Sequence, residues 1–327
     1  MVSAETNAGL IKPFSEQDVV EVIWGMEPDK APGPDGFAIP FYRICRPIIK
    51  YDLLRMISSF LRKAKIGGCT NSTFLALIPK EVNPTSFDRF QPISPCNASY
   101  KIPAKLLANK LKPLLVSLIV PQQGGFVKRW HLVDNFIQVQ EAIHSSFLRK
   151  EKGMIIKLYM KNAFDRVKLS FLYQFLLTFG FSLEFVSLIK ACTEKDWIAP
   201  LINGRPTYFF QASRGLRQGC PLSPFLYILM VEALSRLLSA EMAVGTIPKI
   251  RAARGVEPIN HVLFSDDSLL LGGDSLNIAR SFNRILLKFC LVSGALINKD
   301  KSVVYGWNVD HLKMLQIAYS LGFRGYD

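Results

Sequence analysis

Two adjacent carboxylates, Asp266 and Asp267, stand between short apolar runs in VLFSDDSLLL, Val262 to Leu271. Neighbouring acids repel one another and are costly to bury. A pair of divalent cations resolves that conflict, because hard metals favour carboxylate oxygens and neutralise them. Two such cations about 4 Å apart can also clamp the attacking and leaving oxygens of a phosphoryl or nucleotidyl transfer. A plain exposed turn is the competing reading of Ser265-Asp266-Asp267-Ser268, since Asp is common in turns. The other residues of the chain decide between the two.

The elements that would position this pair follow from periodicity. Ser15 is an N-cap with Asp18 at the third helical position, and Val19, Val22, Ile23 and Met26 recur at helical spacing. Gly25 and Pro28 close that helix, and DKAPGPDG (Asp29 to Gly36) forms a tight loop. A second amphipathic helix is predicted from about Ile48 to Lys65, a buried strand over Thr73 to Pro79, and a helix over Ile102 to Leu118. Met154 to Tyr159 reads as a strand, with a helix following directly through Met160 to Gly180. Ile198 to Phe210 is a hairpin around Asn203-Gly204. Pro221 to Leu238 is a buried helix, and Val262 to Leu271 a hairpin with both carboxylates at its turn. Arg280 to Leu291 is helical and Lys301 to Trp307 a strand. Strands and helices mix without a steady βαβ rhythm, which makes the class α+β.

Charge narrows the partners. The chain has 327 residues, one large domain or two, with Lys plus Arg 40 against Asp plus Glu 26 and a net charge of +14. Acids are absent from Arg89 to Val133, where Arg89, Lys101, Lys105, Lys110, Lys112, Lys128 and Arg129 occur. They are absent again from Trp197 to Val231, where Arg205, Arg214 and Arg217 occur. Surfaces built from such stretches would hold a positive field suited to a polyanion, and nucleic acid is the favoured partner. No apolar run reaches the roughly 18 residues of a membrane helix, and the N-terminus has no signal-peptide pattern. Six scattered cysteines without a C-x-x-C pair fit a reducing compartment, so an intracellular protein, nuclear or cytoplasmic, is expected.

Seven segments occur in a telling order: DKAPGPDGF from Asp29, LALIPK from Leu75, FQPIS from Phe90, KLYMKNAFDRV from Lys157, SRGLRQGCPLSP from Ser213, FSDD from Phe264 and SGALINKDKS from Ser293. Together they resemble the reverse transcriptase of non-LTR, LINE-type retrotransposons, especially plant copies, from about Phe14 to nearly the C-terminus. The resemblance implies a right-hand polymerase with interleaved fingers and palm and an absent or incomplete thumb. Residues 1–72 would be a helical extension of the fingers, and 73–327 the fingers and palm. It implies an RNA-directed DNA polymerase taking an RNA template, a DNA primer and dNTPs, with Mg²⁺ or Mn²⁺. Asp266 and Asp267 match its metal-binding palm acids. Phe164 matches the aromatic gate against a 2′-hydroxyl, and Gln218 the residue beside the nascent base pair. Lys80 resembles a finger lysine facing the triphosphate, and Lys301 a late-palm proton donor to pyrophosphate.

The chain departs from that family at charged positions. Tyr159 stands where the family has its third metal-binding aspartate; a phenol with a pKa near 10 stays protonated and cannot replace a carboxylate. Gln91 stands where FRPIS has an arginine, which removes a bidentate contact. Cys220 replaces the aspartate of RQGDPLSP, Trp130 an arginine before Asp134-Asn135, and Lys161-Asn162 the glutamate and lysine of EKA. Ser265 for alanine is a small change. Losses at charged positions on an intact apolar framework are expected of a decayed copy, a fragment of a larger element. The expected function is template-primed nucleotidyl transfer, impaired by Tyr159; the alternative is a non-catalytic nucleic-acid-binding relic.

Overall fold

Ser15 caps its helix as its spacing requires: the hydroxyl accepts the Asp18 N–H while the Asp18 carboxylate accepts the Ser15 N–H at 2.7 Å, an arrangement that stabilises a helix by about 1 kcal/mol. The computed structural model of the protein describes residues 1–125, 132–251, 258–264 and 267–325. In chain order they begin with helices α1 (Ala4–Ile11), α2 (Glu16–Trp24), α3 (Ile39–Ile44) and α4 (Arg46–Lys63), then strands β1 (Ser72–Pro79) and β2 (Phe90–Ile93). Next come α5 (Ala98–Leu118), α6 (Leu132–Leu148), β3 (Gly153–Tyr159), α7 (Leu169–Thr178) and α8 (Leu183–Thr193). The short strands β4 (Trp197–Ile202), β5 (Arg205–Pro206) and β6 (Phe210–Gln211) precede α9 (Ser223–Val244). The chain continues through β7 (His261–Phe264), β8 (Asp267–Gly273), α10 (Leu276–Ser293), β9 (Val303–Trp307), α11 (His311–Leu321) and β10 (Arg324–Gly325).

These elements form two units interleaved in sequence. The first comprises Met1–Leu114 and Tyr173–Phe225. Its sheet runs β2-β1-β4-β5, with β6 also on β4. The β4–β5 turn is the Asn-Gly turn expected, with positive φ at both Asn203 (50°) and Gly204 (76°). Helices α2, α3, α4 and α5 close a core around Val22, Ile23, Ile39, Ile57 and Ile102.

The second unit comprises Leu115–Leu172 and Leu226–Asp327, around the sheet β10-β9-β3-β8-β7. Strand β3 alternates: Met154, Ile156 and Leu158 are fully buried, while Ile155, Lys157 and Tyr159 on the other face are half-buried. Val139 and Ala142 of α6 pack with Ile259, Val262 and Leu271.

Three expectations need correction. Strand β1, expected to be buried, is half-buried over most of its length and exposed at Ile78 and Pro79, because it lies in a small sheet with one face uncovered at that end. Met160 to Lys168 is not helical; α7 starts only at Leu169. The Lys161 N–H goes to the Leu296 carbonyl (2.7 Å), the Lys168 N–H goes to that of Ser293 (2.8 Å), and Asn162 is left-handed at φ 49°. Tertiary partners take the donors that a helix would use internally. Asp267 and Ser268 are strand residues rather than turn residues, because Phe264 pairs directly with Asp267. Ser265 and Asp266 lie outside the described residues.

Candidate functional site

The side chains that converge do so at the end of the β3–β8 ladder. Tyr159 lies opposite Asp267 in the antiparallel register, with Lys157 opposite Leu269. The Tyr159 N–H donates to Ser302 Oγ (3.2 Å) and its carbonyl accepts the Asn298 N–H (2.8 Å), so both backbone groups point away from β8. A pair of that kind sets its side chains close together on one face. Lys157, two residues earlier on the same face, places Nζ 5.0 Å from the Tyr159 ring centroid. Its ammonium is held above the usual lysine range, first by hydrogen bonding with the Tyr159 side chain and then, against some burial, by Tyr159, Asp267 and Tyr305. Opposite Asp267 the structure thus holds a phenol with a lysine beside it.

Beside this cluster lies an apolar groove of about 960 Å³ between α6 and the same sheet face, with Phe136, Phe147, Ile155, Phe264 and Leu269 in its walls and Lys157 and Asp267 at its edge. Phe164 sits in the non-helical turn after β3 and stacks on the buried Tyr227 (4.8 Å between centroids, 21° between planes). Lys301 is exposed in the Asn298–Ser302 turn, which grips the Tyr159 backbone. Asp266 is the other acid of the expected pair and lies outside the described residues.

Lys80 and Gln218 belong to the first unit. Lys80 is exposed just past β1, with its N–H on the Arg89 carbonyl (2.9 Å), and Gln91 is exposed opposite Ile78. The Gln218 carbonyl accepts the Ser94 N–H (2.8 Å). The next residue, Gly219, has φ 130°, and a Cβ there would lie 2.6 Å from the Ser94 carbonyl oxygen. Only glycine permits that approach. Below the loop Arg217 is buried: Nε donates to Asp196 Oδ2 (2.7 Å), Nη2 donates to Asp196 Oδ1 and Asn71 Oδ1, and the guanidinium lies 4.0 Å over the Tyr100 ring. Cys220 is buried as well, its Sγ 3.1 Å from the Tyr100 hydroxyl, which donates to the Cys192 carbonyl at 2.7 Å.

These contacts revise the charge reading. Arg217 is an internal clamp and contributes no surface field. Arg89 is paired with Glu81 at 2.7 Å. Lys110 donates to the Leu10 and Lys12 carbonyls (3.0 and 2.5 Å) over the Phe14 ring, and burial pushes it down to about 8. Lys101 reaches the Ala31 carbonyl at 3.4 Å and is also lowered by burial. Lys128, Arg129 and Trp130 lie outside the described residues. An acid-free stretch of sequence is compensated by carbonyls and acids from elsewhere in the fold, which no local count reveals. The Arg217–Asp196–Asn71 clamp was missed for the same reason: its members are 21 and 146 residues apart.

A family model described as reverse transcriptase (RNA-dependent DNA polymerase) matches residues 78–319. The Xenopus laevis transposon TX1 uncharacterized 149 kDa protein is 27% identical over 305 residues, 92% of this chain and 23% of that protein. The Pol polyprotein of the type-2 retrotransposable element R2DM of Drosophila melanogaster is 25% identical over 276 residues, 84% of this chain and 25% of that one. The chain thus spans about a quarter of the length of these two relatives. An uncharacterized mitochondrial protein of Arabidopsis thaliana, AtMg01250, is 48% identical over 68 residues, 21% of this chain and 56% of that protein. Among solved structures, apo telomerase from Candida tropicalis truncated from its C-terminal domain aligns with TM-score 0.51 at 11% identity, over 84% of this chain and 57% of that one. The shared fold is the right-hand polymerase fold. Among the described residues no helix is long and apolar enough to cross a membrane.

Proposed function

We propose, for a chain that belongs to the reverse transcriptase (RNA-dependent DNA polymerase) family of non-LTR retrotransposons, that it binds an RNA template, a DNA primer and dNTPs but transfers nucleotides very poorly. The pairing of Tyr159 with Asp267 carries this reading. The acids Asp266 and Asp267 fit one hard divalent cation, Mg²⁺ or Mn²⁺, which when bound would supply Lewis-acid charge toward a triphosphate. A phenol across from Asp267, with the Lys157 ammonium beside it, does not fit a second cation. Phe164 would gate the sugar, Gln218 would pack by the nascent pair, and Lys80 and Lys301 would face the triphosphate and pyrophosphate. The Lys157–Tyr159 contact also favours a second reading, a binding relic without chemistry, because it sets a phenol and an ammonium, neither a cation ligand, beside Asp267.

Binding of a labelled RNA–DNA primer–template, measured as salt is raised, tests the reading. Phosphate neutralisation by positioned lysines and arginines releases counterions, so affinity should fall steeply and log-linearly with salt. A flat salt response, or no binding at low salt by a folded sample, would overturn it.

A further inference from the structure

A basic pocket of about 540 Å³ lies wholly within the first unit, where the ends of α4 and α8 meet the start of β4. Lys63, Lys65, Lys190 and Lys195 line it together with Asn71 and Trp197, and it shares no residue with Lys80 or Gln218. All four lysines are exposed, and among the described residues no carboxylate pairs with any of them; Glu194 is the acid in the lining. Lys190 Nζ rests 5.0 Å over the Tyr173 ring.

The floor of the pocket is built. Asn71 is 3% exposed, and its Nδ2 donates to the carbonyls of Glu194 (3.0 Å) and Lys195 (3.3 Å) while its Oδ1 is held by Arg217. Arg217 in turn grips Asp196, the residue after Lys195. This buried network holds Lys195 at φ 56°, a left-handed conformation uncommon for a residue with a Cβ. Ala64 between Lys63 and Lys65 is left-handed too, at φ 45°. Strained backbone kept in place by buried polar contacts clusters at binding sites. The indole of Trp197, 39% exposed, forms a wall, and it pairs across the sheet with Gln211.

We propose that this pocket is a second nucleic-acid site, separate from the polymerase residues, that takes a single strand of RNA with a base against Trp197 and phosphates among the four lysines. Four exposed lysines lining one pocket with a half-exposed aromatic suit a single strand, whose base faces are free to stack, whereas those of a duplex are not. A lone small anion suits it less, because the C-terminal ends of α4 and α8 turn partial negative charge toward the pocket. An extended strand spreads its charge over all four lysines and adds stacking. The strand would bind whether or not the chain retains chemistry.

The test uses the full chain with a short labelled oligouridylate RNA, titrated by fluorescence anisotropy while saturating RNA–DNA primer–template occupies the polymerase residues. The oligouridylate should still bind. Lys190→Ala/Lys195→Ala should weaken it roughly tenfold at ~0.1 M salt and reduce the log–log salt slope by about 1.4, two phosphate contacts on a single strand. Trp197→Leu should weaken it without changing that slope, Lys190→Arg/Lys195→Arg should restore it, and duplex affinity should stay constant throughout. Unchanged oligouridylate affinity in the lysine variant would overturn the proposal, as would complete displacement by inorganic phosphate. Failure of the duplex itself to bind would count against the polymerase reading alone, since the oligouridylate is read separately.

Discussion

Acid should loosen the hairpin that carries the two aspartates well before ordinary carboxylates titrate, and His261 is the reason. The residue opens β7, is fully buried, and is hydrogen-bonded on both ring nitrogens: to Asn260 Oδ1 at 2.6 Å and to Ser235 Oγ at 2.5 Å. Asn260 spends its amide N–H on the Leu238 carbonyl, so its oxygen faces the ring; Nδ1 carries the proton and Nε2 accepts from Ser235. No place remains for a second proton. Burial pushes the imidazole from 6.5 down to about 3. The unfolded chain then binds more protons between those values, so the stability that His261 contributes is complete above pH 6.5 and lost as pH falls toward 3. At 1.36 kcal/mol per pH unit, the loss is about 2 kcal/mol by pH 5 and about 3 kcal/mol by pH 4. Asp196 and Glu232, both raised by burial, act with the opposite sign, favouring the folded state as pH falls. The difference between the wild type and His261→Gln isolates the histidine. Urea midpoints at constant ionic strength, followed by circular dichroism, should fall between pH 6.5 and 5 in the wild type and stay flatter in the variant. Parallel acid limbs for the two proteins would refute the assignment.

Two further outcomes concern the loop that carries Gln218. Arg217→Met should destabilise the fold by about 3–5 kcal/mol by stranding Asp196, and adding Asp196→Asn should recover part of that loss in urea titrations. Equal midpoints for Arg217→Met and the wild type would show that the clamp carries no stability. Gly219→Ala should cost roughly 1–3 kcal/mol and lower the thermal midpoint, because the loop cannot keep both its positive φ and the Ser94 contact; an unchanged melt would contradict the close approach.

Much of the frame was legible because its signals are local. The capping box at Ser15, the Asn203-Gly204 turn, and the apolar strands flanking the aspartates each depend on residues a few positions apart. What escaped depends on distant partners. Met160 to Lys168 has helical periodicity yet spends its backbone on residues 293–297, and Lys101 and Lys110 of the acid-free stretch find carbonyls 70 to 100 residues away. At the site itself, the resemblance of the motifs is what proposes Tyr159 for the acid's position. Its register against Asp267 and the ammonium of Lys157 beside it come only from the folded sheet.

Primer extension on an RNA template, with Mg²⁺ or Mn²⁺, tests the central claim most directly. Removing a metal-binding carboxylate from a nucleotidyl-transfer site plausibly costs roughly 10³-fold or more in rate. The unaltered chain should therefore extend primers negligibly, Tyr159→Phe should do no better, and Tyr159→Asp should raise extension, with Gln91 and Cys220 still limiting it. Robust extension by the unaltered chain, or none gained by Tyr159→Asp in a protein that still binds primer–template, would contradict the account.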